Sequence, residues 1–204
     1  MTPAEVQEAI ESGAVVLDLR PPRPFAIEHL PGAVTMQFNR ADLADRAEIM
    51  LPSELKLIVH AEPEPVAKVA VEILQGAGYT VLGHLAGGLE AWKEACYATE
   101  TLPLMDVDEL DDRLAELTVI DAREPFEHRH AHIPNAVLFP PGDAWQRAPD
   151  APAGSLAVVC GDQTRSAYVA SVLQRHGKQA ALVMGGMVDW LERDYPVEKA
   201  TAHA

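Results

Sequence analysis

The same pattern of residues occurs twice in the chain. Residues 15–34 read Val-Val-Leu-Asp-Leu-Arg and then His-Leu-Pro-Gly-Ala-Val, and residues 118–137 read Thr-Val-Ile-Asp-Ala-Arg and then His-Ile-Pro-Asn-Ala-Val at the same internal spacing. Two further pairs follow in the same order: Leu57–His60 with Ala157–Cys160, and Gly87–Trp92 with Gly185–Trp190. Chance matches would not keep both order and spacing, so the repeat indicates a duplicated domain.

The duplication divides the 204 residues into a domain over 1–99 and a second over 100–204. About 100 residues is enough for one small core. The composition is that of a globular protein, with 48% hydrophobic and 23% charged residues, which excludes wholesale disorder, collagen and a disulfide scaffold.

Each copy alternates apolar runs with helical segments. The runs Leu55–Val59 and Leu156–Val159 predict buried strands, since they are continuous and rich in Val and Ile. Each leads into a predicted helix, Pro65–Gln75 in the first copy and Arg165–Arg175 in the second. This alternation predicts the α/β class, with a parallel sheet that carries helices on both faces.

The net charge, the hydropathy pattern and the two cysteines indicate which kinds of partner and which cellular compartment to expect. Acidic residues number 31 against 16 basic ones, and the formal net charge of −15 disfavours nucleic acid and anionic membranes as partners. No apolar stretch approaches the roughly 18 residues of a membrane helix, and no signal peptide is visible. Cys96 and Cys160 lie in different copies and form no framework, which favours free thiols and a cytoplasmic location.

Cys160 is the strongest candidate for chemistry. It ends a predicted strand, and a helix begins about five residues later, so its side chain is expected at the edge where α/β sheets bind ligands. The amides and the dipole at that helix start, together with Arg165, would stabilise a thiolate. A thiolate so placed predicts nucleophilic attack with a covalent intermediate. The alternative is an inert core cysteine, because free cysteines are often buried.

Taken together, these motifs resemble those of the rhodanese family, and specifically its tandem-domain sulfurtransferases. The motifs are Asp121–Glu124, His132–Ala136, Cys160–Ser166 and the Gly185-Gly186 pair before Trp190. The resemblance implies a five-stranded parallel sheet in each domain and a thiosulfate sulfurtransferase-like enzyme without cofactor or metal. It also implies a cysteine persulfide that carries sulfur from a small-molecule donor, such as thiosulfate or mercaptopyruvate, to cyanide, a thiol or a protein acceptor.

The resemblance assigns the site residue by residue. Cys160 takes the persulfide-forming position. The active loop then comprises Gly161, Asp162, Gln163, Thr164, Arg165 and Ser166. Gln163 stands where the family often has glycine, and Asp162 adds negative charge where a dianionic donor would approach. Arg123 either orients the loop or forms a plain salt bridge beside it.

Loop length separates two chemistries within this family resemblance. Four residues lie between Cys160 and Arg165, whereas the related dual-specificity phosphatases and arsenate reductases have five. A phosphate is larger than a persulfide sulfur, so the shorter loop favours sulfur transfer. A third hypothesis is a non-enzymatic persulfide carrier or sensor that docks on a partner protein.

The first copy lacks this apparatus. His60 stands in the place of Cys160, and Pro63 and Pro65 remove two amide donors from its loop. Glu62 and Glu64 add negative charge there. The first domain is therefore predicted to be catalytically silent, with a role for His60 as a base or ligand of another site as the alternative.

The remaining candidates have structural explanations. His128, His130 and His132 alternate, as some metal ligands do, but a helix before Pro134 would point them in different directions. Cys96 is either a sulfur relay or an ordinary thiol. The tryptophans repeated between the copies, Trp92 and Trp190, are expected in the cores.

Overall fold

The chain folds into two units of the same α/β type. The computed structural model describes residues 1–199, and the units divide between Thr101 and Leu102, two residues after the boundary expected from the repeat. Within residues 1–199, no helix is long and apolar enough to cross a bilayer.

The first unit has a four-stranded parallel sheet in the order β2-β1-β3-β4. Its elements are α1 (Pro3–Glu11), β1 (Val15–Asp18), α2 (Pro22–Ile27), β2 (Val34–Thr35), α3 (Leu43–Met50), β3 (Lys56–His60), α4 (Glu64–Gly76), β4 (Thr80–His84) and α5 (Gly88–Glu94). All four residues of the central strand β1 are buried, so both faces of the sheet are covered.

The second unit has a five-stranded parallel sheet in the order β5-β9-β8-β6-β7. Its strands and α-helices are β5 (Leu104–Met105), α6 (Val107–Asp112), β6 (Thr118–Asp121), α7 (Pro125–His130), β7 (Val137–Leu138), α8 (Ala144–Arg147), β8 (Ser155–Val159), α9 (Thr164–Arg175), β9 (Gln179–Val183) and α10 (Gly186–Glu192). Two 3-10 turns, Pro141–Asp143 and Ala148–Asp150, flank α8.

The expectation of five strands in each domain is correct for the second unit and wrong for the described part of the first. In the second unit the fifth strand is β5, which pairs with β9. At the matching edge of the first unit, the Met1 carbonyl accepts the Ala86 N–H at 2.9 Å, and the Met1 ammonium donates to the His84 carbonyl at 2.8 Å. Pairing through one residue does not make a strand, so the first sheet ends at β4.

Both units repeat their internal contacts as well as their elements. Trp92 and Trp190 are fully buried, as expected for core residues. An aspartate at the end of β1 or β6 pairs with an arginine two residues later at 2.6 Å; the pairs are Asp18 with Arg20 and Asp121 with Arg123. These shared contacts place the same strand end at the same edge of both sheets, and they provide matched positions for comparing the two units.

Candidate active site around Cys160

Cys160 lies directly after the central strand β8, and its loop leads into α9. Residues 161–163 make the turn, and α9 begins at Thr164. The carboxyl end of a central parallel strand beside a helix N-terminus is the position where open α/β sheets bind ligands. The structure therefore puts the candidate nucleophile where the sequence predicted it.

The sulfur of Cys160 is surrounded by polar groups. It accepts the Gln163 N–H at 3.1 Å and lies 3.2 Å from the Ser166 hydroxyl. It also lies 4.0 Å from Oδ1 of Asp162. Cys160 is fully buried, and an amide, a hydroxyl and a carboxylate group lie within 4.0 Å of its sulfur. Such an environment suits a group that carries charge during a reaction.

Gln163 adopts a backbone conformation that usually requires glycine. Its φ is +82°, in the left-handed region, and it is the N-cap of α9. A non-glycine residue there costs about 1–2 kcal/mol. The loop nevertheless turns the Gln163 N–H towards the sulfur. The replacement of glycine has therefore kept an amide donor on the sulfur.

Gly186, at the start of α10, lies directly against the backbone of Cys160. The N–H of Met187 donates to the Cys160 carbonyl at 2.8 Å, which brings the start of α10 against the nucleophile's backbone. A Cβ added to Gly186 would lie 2.3 Å from that carbonyl oxygen. The Gly-Gly turn expected from the sequence thus allows α10 to approach Cys160 this closely.

A Gly186→Ala substitution is expected to cost about 2–4 kcal/mol of stability, since it combines left-handed strain with overpacking. Gly88 is the matched control in the first unit. Its φ of +61° is close to the +56° of Gly186, but the nearest atoms to an added Cβ lie at 3.4 Å, an ordinary contact. Gly88→Ala should therefore cost only the strain, about 1–2 kcal/mol. Urea denaturation of the full chain measures both, and equal losses would contradict the role given to Gly186.

Arg165 is held by a carboxylate that the sequence analysis did not assign. Its guanidinium binds Glu127 of α7 through two hydrogen bonds, Nη1 to Oε2 at 2.5 Å and Nη2 to Oε1 at 2.9 Å. These hydrogen bonds raise the pKa of Arg165 and lower the pKa of Glu127. The strands that precede these two helices, β6 and β8, are neighbours in the sheet, so α7 and α9 start at the same edge. The predicted strands before each helix were the signal in the sequence that could have found this pairing.

Arg123 makes its hydrogen bonds to groups outside the active loop. Its Nε and Nη2 donate to the Asp121 carboxylate at 2.9 and 2.6 Å, and Nη2 also donates to the Ala131 carbonyl at 2.7 Å. Its positive charge also helps to lower the pKa of Glu127, the carboxylate that binds Arg165 of the loop. Arg20 repeats the pairing with Asp18 in the first unit, which favours the salt-bridge interpretation.

Two of the three alternating histidines, His128 and His132, lie together, contrary to the expectation that all three would point in different directions. His128 lies 2.9 Å from Asp121 through Nδ1 and stacks on His132 with ring centroids 3.8 Å apart, whereas His130 is exposed. His132 binds the His128 carbonyl at 2.7 Å, as His29 binds the Phe25 carbonyl at 2.8 Å. Across residues 1–199, no three His, Cys, Asp or Glu side chains are grouped as metal ligands would be.

The corresponding position of the first unit is occupied by a histidine. His60, the last residue of β3, is fully buried, and neither of its ring nitrogens has a hydrogen-bond partner within the described chain. Burial lowers the pKa of His60, which favours the neutral ring. Pro63 is the N-cap of α4, and Glu62 lies 3.6 Å from the His60 ring. A proline and a carboxylate stand where the second unit has the Gln163 amide and Asp162.

Comparison with known proteins agrees with this architecture. The rhodanese-like domain family matches the chain twice, over residues 2–95 and 106–193. The thiosulfate sulfurtransferase GlpE of Ectopseudomonas mendocina (strain ymp) is 31% identical over 102 residues, which cover 50% of this chain and 89% of that protein. The GlpE protein of Pseudomonas syringae pv. syringae (strain B728a) is 30% identical over 101 residues, 49% of this chain and 91% of its own.

Among solved structures, a rhodanese-related protein from Thermoplasma volcanium is similar, with 29% identity and a TM-score of 0.46 over 47% of this chain and 97% of that chain. With both halves matched by one domain family, the chain belongs to the rhodanese family and contains two rhodanese-like domains in tandem.

Proposed function

We propose that the chain is a sulfurtransferase in which the second domain carries sulfur as a persulfide on Cys160. The observation that carries this proposal is the sulfur of Cys160 at the end of β8, in contact with the Gln163 amide and the Ser166 hydroxyl. The relatives named thiosulfate sulfurtransferase support the same class of reaction. The first domain, with His60 in the cysteine position, is proposed to be silent in this reaction.

The reaction has two steps. In the first, Cys160 attacks the outer sulfur of a donor, a new S–S bond forms, and the rest of the donor leaves with the electron pair of the broken bond. The Gln163 amide and the Ser166 hydroxyl are placed to stabilise negative charge on sulfur. In the second, a thiol or cyanide removes the outer sulfur and restores Cys160. The proposal needs no metal or organic cofactor.

Loading of Cys160 tests the proposal directly. The full chain is incubated with thiosulfate, mercaptopyruvate or an organic persulfide, and its intact mass is recorded. We expect a gain of one sulfur atom, mapped to the peptide that contains Cys160, and its loss on addition of cyanide. If no donor loads Cys160, or the sulfur is found on Cys96 alone, the proposal is wrong.

Turnover separates the enzyme from a carrier, which is the second candidate function. The burial of Cys160 supports slow exchange with the medium, as a carrier requires. An enzyme consumes many equivalents of donor in the presence of cyanide or a thiol, whereas a carrier stops after one equivalent and delivers its sulfur to a partner protein.

A further inference from the structure

Asp162 is an exposed carboxylate beside the buried sulfur of Cys160. Cys160 is fully buried, whereas Asp162 is exposed and its Oδ1 lies 4.0 Å from the sulfur. The same oxygen accepts the Thr164 N–H at 3.3 Å, which fixes the carboxylate beside the loop. A donor that reaches the sulfur on this side therefore meets the negative charge of Asp162. The Thr164 N–H at the start of α9 already donates to that carboxylate and is not free to bind a donor anion.

The positive charge of the loop does not offset Asp162. Both terminal nitrogens of Arg165 bind Glu127, so the arginine and its partner carry no net charge together. Arg123, the other arginine linked to this group, is paired with Asp121. Within residues 1–199, Asp162 has no ion-pair partner, and Glu124 adds further negative charge near Arg165. An anion is therefore repelled where a cationic loop would attract it.

From this arrangement, and resting on the proposed function, we propose that Asp162 is a specificity-determining residue that excludes dianionic donors. The donor class that fits is an organic persulfide in its neutral form, R–S–S–H. Its outer sulfur brings no negative charge past Asp162, whereas thiosulfate brings two.

The transfer balances without an oxidant or a reductant. The bond between Cys160 Sγ and the outer sulfur of the persulfide forms as the donor's own S–S bond breaks. The electron pair of that bond leaves with the R–S group, which takes up the proton that Cys160 releases. The products are the Cys160 persulfide and the thiol R–S–H.

Asp162→Asn tests the proposal because it removes the charge and keeps an oxygen to accept the Thr164 N–H. Loading of Cys160 is followed by intact mass with two probes, thiosulfate and the persulfide of N-acetylcysteamine, in mildly acidic buffer in which the persulfide is protonated and thiosulfate keeps both charges. We expect the rate constant for thiosulfate to rise by about tenfold or more in the variant, as loss of a unit charge near the sulfur implies, and that for the neutral persulfide to change by less than about threefold. Added salt should accelerate thiosulfate loading of the wild type and affect the variant less, since it screens the repulsion.

Glu62→Gln is the matched control, because Glu62 holds the corresponding position in the loop of the first unit and loses the same charge. It should leave both rate constants unchanged. Equal changes for both probes in Asp162→Asn, or thiosulfate loading that ignores both the variant and salt, would overturn the role of Asp162. Failure of Cys160 to load from either probe in any variant would instead overturn the proposed sulfur transfer itself.

Discussion

Replacing Cys160 by serine is expected to reduce sulfur transfer by about 10³-fold or more, as removal of a catalytic nucleophile does in other enzymes. A serine hydroxyl is a weak nucleophile at neutral pH and forms no persulfide. Its oxygen is smaller than the sulfur but can still accept the Gln163 N–H and lie near Ser166, so the loop should keep its shape. The measurement is steady-state turnover of a sulfur donor with cyanide, together with the urea midpoint.

Cys96→Ser provides the control, because Cys96 is the other cysteine of the chain and is exposed. It removes a thiol without touching the loop of the second unit, so turnover should stay within about twofold of the wild type. Full turnover in Cys160→Ser would refute the assignment of the nucleophile. If Cys96→Ser loses turnover and Cys160→Ser does not, Cys96 is the nucleophile.

The central strands and the nucleophile could be predicted because their signals are local. The apolar run Leu156–Val159 differs from β8 (Ser155–Val159) by one residue. The predicted helix Pro65–Gln75 differs from α4 (Glu64–Gly76) by one residue at each end. Continuous burial of a strand and a proline at a helix start both act within a few residues, and the duplication supplied each signal twice.

Other elements were missed because their stability comes from packing. Strand β5 has only two residues and is defined by its pairing with β9 across the sheet. Helix α3 was not predicted, although Leu43, Ala47 and Met50 recur at helical spacing and are its buried residues. In that case the signal was present and the charged residues between the apolar positions hid it.

The site was predicted less completely than the fold, for a physical reason. Cys160 and its loop are contiguous in the chain, so their place between β8 and α9 could be predicted from the sequence alone. The pairing of Arg165 with Glu127 joins residues 38 positions apart and depends on how α7 and α9 lie on the sheet. The sequence analysis expected Arg165 to help stabilise a thiolate on Cys160, and only the tertiary contact shows that the arginine is paired with a carboxylate.

Breaking the buried Asp121–Arg123 pair by removing one charge is expected to be among the most destabilising single substitutions in the second unit. The side chain of Asp121 is fully buried and that of Arg123 is 8% exposed. Asp121→Asn keeps the shape of the side chain but leaves the arginine charge buried without its counter-charge, which typically costs 3–5 kcal/mol, so we expect a loss of about 3 kcal/mol. Urea denaturation measures the loss, and hydrogen exchange should locate it in β6 and β8.

Asp18→Asn makes the same change in the first unit, where Asp18 is fully buried beside Arg20. It should cost a similar free energy, with faster exchange in β1 and β3 instead. Replacing both partners of the second pair by apolar residues, Asp121→Leu with Arg123→Met, should cost less than Asp121→Asn alone, because no unpaired charge stays buried. If the double variant is the less stable one, the energy lies in the hydrogen bonds to Ala131 and His128 rather than in the buried charge.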